Sequence, residues 1–208
     1  MCFSATASFS VSAALAVVGV LSVSVAPRRL RLFAGTPLVF SIQQALEGLV
    51  WLFSSSRPVI AQIATYGFIF IALVWWPLWS SIIFLYRGEK NRIRNLGLWS
   101  TLFVGGLLSI FSLWLLIDSR VGAQVTTHIA YSLIQSSNLT NVFLYVLATL
   151  APLVLTSERY MWILAILFGC AYIATSRWFP IHITSVWCFF AAVISSGILG
   201  FVFAKRKS

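Results

Sequence analysis

Long apolar runs, separated by short polar or basic stretches, divide the chain into seven segments. A bilayer core about 30 Å thick takes ~20 apolar residues per helix, and most of the runs approach that length. The pattern therefore predicts an all-α fold, with one polytopic membrane domain over residues 1–208 built as a bundle of seven transmembrane helices. The predicted spans are residues 3–26, 32–53, 59–86, 96–117, 139–155, 161–175 and 183–203.

The composition supports a membrane protein. Hydrophobic residues make up 60% of the chain and charged residues 9%, whereas about 25% of the residues in a soluble domain are charged. The net charge is +10, but the basic residues form short clusters between apolar runs instead of one solvated face. We therefore expect a lipid bilayer as the partner and no nucleic acid.

The basic residues also predict an orientation. Eleven of them lie after the first, third and fifth spans and at the C-terminus, and three, Arg57, Arg120 and Arg177, lie in the alternate loops. Cytoplasmic loops are enriched in lysine and arginine. The N-terminus should therefore face outside and the C-terminus the cytoplasm of the plasma (inner) membrane.

One predicted outer segment, residues 118–138, is longer than a simple connection needs. Val121, Val125, Ile129 and Leu133 recur every four positions. This spacing favours an amphipathic helix lying on the outer face. The alternative is that the fifth span begins early, near Ile129.

Glu47 is the only acidic residue within a predicted span. Gln43, Gln44 and Trp51 stand three or four positions from it, so all four share one stripe of the helix. An ionisable group inside a span costs several kcal/mol unless it is paired or hydrated, and such groups commonly mark functional sites. We expect Glu47 to point into the bundle; the alternative to a functional role is a protonated carboxyl that holds two helices together.

Thiol and imidazole groups also fall in the predicted outer half of the bundle. Imidazole and thiolate are the usual donors to zinc and copper, so Cys2, Cys188, His128 and His182 could hold a transition metal. No two of them have the spacing of a metal motif. Cys2 and Cys188 could instead form a disulfide in an oxidising compartment.

Missing residues exclude several functions of membrane proteins. The lysines, Lys90, Lys205 and Lys207, all lie in predicted cytoplasmic segments, so no Schiff base with retinal can form inside the bundle. The two histidines are too far apart in sequence for a metalloprotease motif. Asp118 is the single aspartate, which excludes an intramembrane aspartyl protease.

Four stretches resemble a family of small multi-pass bacterial membrane proteins of unknown function. They are MCFSATASF at the start, QQALEGLVW at 43–51, YVLAT at 145–149 and SVWCFFAA at 185–192. The resemblance implies a membrane location and a shared fold but brings no activity. It favours seven positions as functional ones: Cys2, Gln43, Gln44, Glu47, Trp51, Trp187 and Cys188. Neither histidine falls in a matching stretch.

Three functions remain open. The first is a receptor or carrier that binds a small ligand or a metal in an outward-facing polar pocket around Glu47, with Gln43, Gln44, Trp51 and Trp187. The second is an accessory or assembly subunit that uses the polar stripe to hold a partner membrane protein. The third is a thiol-dependent enzyme with Cys2 or Cys188 as the nucleophile, although no basic residue adjoins either cysteine.

Overall fold

A computed structural model describes residues 4–118, 121–132 and 139–206. Within these ranges the chain is almost entirely helical, which confirms the all-α prediction apart from one small β-hairpin. The long helices are α1 Ala5–Val25, α2 Thr36–Phe53, α3 Pro58–Arg87, α4 Arg92–Asp118, α5 Leu139–Val154, α6 Arg159–Trp178 and α7 Ile183–Arg206. A short 3-10 helix, Arg28–Leu30, and a one-turn helix, Arg31–Ala34, connect α1 to α2. The hairpin comprises β1 Ala123–Val125 and β2 Ile129–Tyr131.

Five of the helices, α1, α3, α4, α6 and α7, are long and apolar enough to cross a membrane. Helix α5 is apolar but has only 16 residues. Helix α2 has 18 residues, and Gln43, Gln44 and Glu47 interrupt its apolar surface. The helices are thus compatible with an integral membrane protein in contact with lipid.

Helix α2 packs against α1, α3 and α7. Small residues allow α1 and α2 to approach closely, as is common between helices in membranes. The hydroxyl of Ser12 donates to the carbonyl of Ser41 at 2.8 Å, and that of Ser41 donates to the carbonyl of Ser12 at 2.7 Å. Nearer the start of α1, Phe9 packs on Gly48, where an added Cβ would lie 2.9 Å from its ring.

Helix α3 changes to a π-helix over Phe70–Trp75, which ends two residues before Pro77. Proline has no N–H to donate and disrupts the helical ladder, so carbonyl groups of this segment need other donors. Tyr145 of α5 donates to the carbonyl of Ala72 at 2.6 Å, and Ser109 of α4 donates to that of Val74 at 2.8 Å. These hydroxyls join the irregular segment to both neighbouring helices.

The segment after α4 differs from both of its predictions. Over residues 121–132 it is a hairpin with Ala123 opposite Tyr131 and Val125 opposite Ile129, so the amphipathic helix is wrong there, and α5 begins at Leu139 instead of near Ile129. A spacing of four places side chains on one face of a strand as well as of a helix, because strand side chains alternate with a period of two. The rest of the predicted helix, residues 133–138, lies outside the described residues.

The loops lie at two opposite ends of the bundle. At the end that we call the basic end, Glu158 accepts a 2.5 Å hydrogen bond from Arg87 and lies 3.1 Å from the ammonium of Lys205. These contacts join the ends of α3 and α7 to the start of α6. At the opposite or hairpin end, Gln62 of α3 donates to the carbonyl of Val121 at 2.6 Å.

Candidate functional site

Three polar side chains of α2 are enclosed in the bundle. Gln43 and Gln44 are completely buried, and Glu47 is 1% exposed. They are buried because they lie on the side of this helix that packs against α1, α3 and α7. The prediction that Glu47 points inward, with a glutamine beside it, is confirmed.

The carboxylate of Glu47 accepts hydrogen bonds from two side chains. Its Oε2 accepts from the amide nitrogen of Gln44 at 3.2 Å, and its Oε1 accepts from the hydroxyl of Ser185 in the first turn of α7. Helix α2 contains no lysine or arginine, and the ion pairs among the described residues are those of Glu158 at the basic end. Glu47 is therefore a buried acid with neutral hydrogen-bond donors.

Gln43, the residue before Gln44, connects α2 to both α7 and α3. Its amide nitrogen donates to the sulfur of Cys188 in α7 at 3.3 Å, and its oxygen accepts from the indole N–H of Trp76 in α3 at 2.9 Å. Trp76 stacks on Phe40 with ring centroids 4.1 Å apart. Both polar ends of Gln43 are thus satisfied, which makes it a structural link beside Glu47.

Tyr131 of the hairpin covers the polar cluster, by which we mean Gln43, Gln44, Glu47, Ser185 and Cys188. The Tyr131 ring is buried and stacks on Phe68 of α3 at 4.7 Å between centroids. Burial raises the pKa of Tyr131 well above its usual value, and a negative charge on Glu47 adds to the effect. The phenol therefore stays protonated and can donate a hydrogen bond.

Several buried polar atoms near Glu47 have no hydrogen-bond partner within the described chain. They are the side-chain oxygen of Gln44, the indole nitrogen of Trp51, and the hydroxyl oxygens of Tyr131 and Ser8. The α1–α2 contacts described above place Ser8 beside residues 44–48. An unsatisfied buried polar group costs ~1–3 kcal/mol, and such groups are rare. Buried hydrogen-bond donors and acceptors without partners near a single carboxylate are typical of a binding site for a small polar ligand.

The two predicted metal-binding histidines are neighbours. Their rings lie 5.3 Å apart between centroids, and His182 is 3.4 Å from the hydroxyl of Thr126. Burial of His128, helped by the charge of His182, lowers its pKa. Cys188 instead contacts Gln43, and no group of three histidine, cysteine or acidic residues forms a metal site among the described residues. Cys2 lies outside those residues, so the metal set stays a prediction.

Trp187 lies apart from the Glu47 cluster. It is two residues from Ser185, which places the two side chains on opposite faces of α7. Its indole N–H donates to the carbonyl of Phe168 at 3.2 Å, and its ring packs edge to face with Tyr145 and Tyr172. The structure thus brings Glu47, Gln43, Gln44 and Cys188 together and separates Trp187 from Glu47.

One family matches the chain over residues 1–208. The chain belongs to DUF6629, a family of unknown function. This agrees with the resemblance to an uncharacterised family. No curated protein and no solved structure matches the chain.

Two residues in or against the polar cluster of this DUF6629 protein were not predicted from the sequence. Ser185 is the first residue of the stretch 185–192 that carries the resemblance. It stands three residues before Cys188, so the two share one face of the helix, and this spacing could have indicated Ser185 as a site residue. Tyr131 had no such signal, because its approach to Glu47 depends on the hairpin.

Proposed function

We propose that this DUF6629 protein is a plasma-membrane protein with seven spans, its N-terminus outside and its C-terminus in the cytoplasm. The unequal distribution of basic residues supports this orientation. The arrangement of the loops is in keeping with it, since Arg87, Glu158 and Lys205 meet at one end. Large apolar side chains exposed on the outer faces of the helices, such as Ile110 and Ile163, are suited to lipid.

We propose further that the protein is a receptor or carrier that binds a small cation at Glu47. The observation that carries this proposal is the enclosed carboxylate of Glu47, bonded to Gln44, together with buried oxygens of Gln44 and Tyr131 that have no hydrogen-bond partner within the described chain. A buried carboxylate needs a counter-charge or a proton, and Glu47 has no basic partner in its helix. Its two hydrogen-bond donors, Gln44 and Ser185, are neutral and supply no counter-charge.

The ligand is small and prefers oxygen atoms. Phe9 packs against Gly48 and Tyr131 stacks on Phe68, so the surroundings of Glu47 are filled by side chains. The open atoms of Gln44 and Tyr131 are oxygens, which are the donors that hard cations take. A sodium ion fits one carboxylate with neutral oxygen neighbours, and a proton on Glu47 is the competing occupant.

Thermal unfolding of the purified protein tests this function. A ligand that binds only the folded state raises its stability as the concentration of that ligand rises. We expect the unfolding midpoint to rise when sodium chloride replaces choline chloride at constant ionic strength. Glu47→Gln should abolish this rise, whereas Glu89→Gln, the same change in an exposed loop, should retain it. A rise of equal size in Glu47→Gln would contradict the proposal.

The burial of Cys188 argues against the alternative of a thiol enzyme. Its side chain is 3% exposed, and its sulfur accepts a hydrogen bond from Gln43. Reactive cysteines are partly exposed and lie beside positive charge. Binding therefore accounts for the cluster better than thiol chemistry does.

A further inference from the structure

A cavity of about 330 Å³ lies between α4, α5, α6 and α7. It is in the half of the bundle toward the hairpin end, because its walls come from the last turns of α4 and the first turns of α5 and α7. Glu47 does not line it, so this cleft is distinct from the cation site. Its volume falls in the range of small-molecule pockets, ~300–1,000 Å³.

Two aromatic side chains form the floor of the cleft and are fixed in place. Tyr145 donates to the carbonyl of Ala72 at 2.6 Å, and Trp187 donates to the carbonyl of Phe168 at 3.2 Å. Beyond them lies a smaller cavity of about 70 Å³ that the same two residues also line. Because both polar groups are already bonded to protein, the floor offers a ligand mainly the apolar surface of the rings.

The polar groups of the cleft lie nearer its rim. Ser112 of α4, Asn141 of α5 and Thr184 of α7 line it. Within the described chain these three side chains make no hydrogen bond to protein, so they are free to bond a ligand. The cleft is therefore polar at the rim and aromatic at the floor.

Among the described residues, the lining contains no charged side chain. A charged headgroup bound there would lose its hydration without gaining a counter-charge, at a cost of several kcal/mol. Phe111 is 44% exposed at the edge of the cleft, and its neighbour in α4, Ile110, is exposed on the surface that suits lipid. A molecule dissolved in the membrane can therefore reach the cleft from the side of α4.

We propose that this cleft binds an uncharged, hydroxyl-bearing lipid of the diacylglycerol type. The hydroxyl end bonds to Ser112, Asn141 and Thr184 at the rim, and an acyl chain lies on the Tyr145 and Trp187 rings. This site goes beyond the cation site, since it shares neither Glu47 nor Gln44.

The experiment compares two lipids that differ in charge. Dioctanoylglycerol and dioctanoyl phosphatidic acid have the same acyl chains, and only the second carries a phosphate. We expect dioctanoylglycerol to raise the unfolding midpoint of the purified protein in a saturable way and phosphatidic acid to raise it much less. Equal effects of the two lipids, or no saturable effect of dioctanoylglycerol, would overturn the proposal.

Matched tryptophan variants of α4 locate the site. Leu108 lines the cleft, whereas Ile110 is 69% exposed on the other face of the helix. Leu108→Trp should abolish the effect of dioctanoylglycerol and Ile110→Trp should retain it; retention in both would overturn the proposed site. If Leu108→Trp does not fold, the double variant Ser112→Ala and Asn141→Ala removes two hydrogen bonds instead. It should raise the half-maximal lipid concentration on the order of tenfold, and an unchanged concentration would overturn the proposal.

Glu47→Gln separates the lipid site from the cation site. It should lose the response to sodium and keep the response to dioctanoylglycerol. Loss of both responses in a folded variant would overturn the inference that the two sites are distinct.

Discussion

The hydroxyl of Ser185 donates a hydrogen bond to the Glu47 carboxylate across the interface of α7 and α2. The two residues are far apart in sequence, and each is at most 1% exposed. Gln44 donates to the other carboxylate oxygen from within α2. The carboxylate is thus held by one local donor and one long-range donor, and the long-range donor fixes the position of α7 beside α2.

Replacing Ser185 by alanine removes the long-range donor. A hydrogen bond to a charged group contributes ~1.5–3 kcal/mol, so Ser185→Ala should lower the free energy of unfolding by about that amount. The measurement is reversible unfolding in mixed detergent micelles. Ser196→Ala is the matched control, because Ser196 in the same helix bonds only to a carbonyl of its own helix. Equal effects of the two substitutions would contradict this role of Ser185.

The contact of α4 with α3 at Pro77, just after the π-helix, depends on a glycine. A Cβ added at Gly105 would overlap the carbonyl oxygen of Pro77, whereas one added at the adjacent Gly106 would have no neighbour within 4 Å among the described residues. Gly105→Ala should therefore lower the unfolding midpoint, with a loss of ~1–3 kcal/mol as for other overpacked sites. Gly106→Ala should leave it unchanged or raise it slightly. A larger loss in Gly106→Ala would contradict the packing.

The apolar pattern predicted the helices well and the site only in part. The basic clusters at 28–31, 87–94 and 205–207 interrupt long apolar runs, and a helix ends or begins near each. Gln44 and Glu47 were predicted as neighbours because a spacing of three is a property of the helix itself. Contacts such as Ser185 with Glu47 join separate helices, and no local spacing encodes them.

The hairpin shows where local spacing misleads. Val121 and Val125 fit one face of a helix and one face of a strand equally well. Tertiary packing decides between the helix and the strand. Tyr131 stacks on Phe68, and the carbonyl of Val121 accepts a hydrogen bond from Gln62. Both partners belong to α3, so a reading of the segment alone could not find them.

The Glu158 contacts predict a loss of stability in acid. Partial burial raises the pKa of Glu158, but the hydrogen bond from Lys205 and the charge of Arg87 outweigh it, and the net pKa is lowered. The stabilisation is therefore complete above the unfolded value of about 4.3 and is lost as the pH falls through the folded value. Glu158→Gln should remove this acid transition and, because the pair is partly exposed, cost about 1 kcal/mol at pH 7. An unchanged pH profile in the variant would contradict the prediction.

The lowered pKa of His128 predicts a second loss of stability, at a higher pH than that of Glu158. Because its folded pKa is lowered, the unfolded chain binds more protons as the pH falls below about 6.5, and stability falls with it. His128→Gln should flatten the dependence of the unfolding midpoint on pH in this window, and Glu158→Gln should leave that window unchanged. If His128→Gln retains the full dependence, His128 is not its source.

Equilibrium binding of radioactive sodium to the purified protein tests the central claim, that Glu47 holds a small cation, most directly. We predict saturable binding of about one ion per chain to the wild-type protein and to Glu89→Gln, with no saturable binding to Glu47→Gln. Saturable binding of the same stoichiometry to Glu47→Gln, or none to the wild-type protein, would contradict the claim.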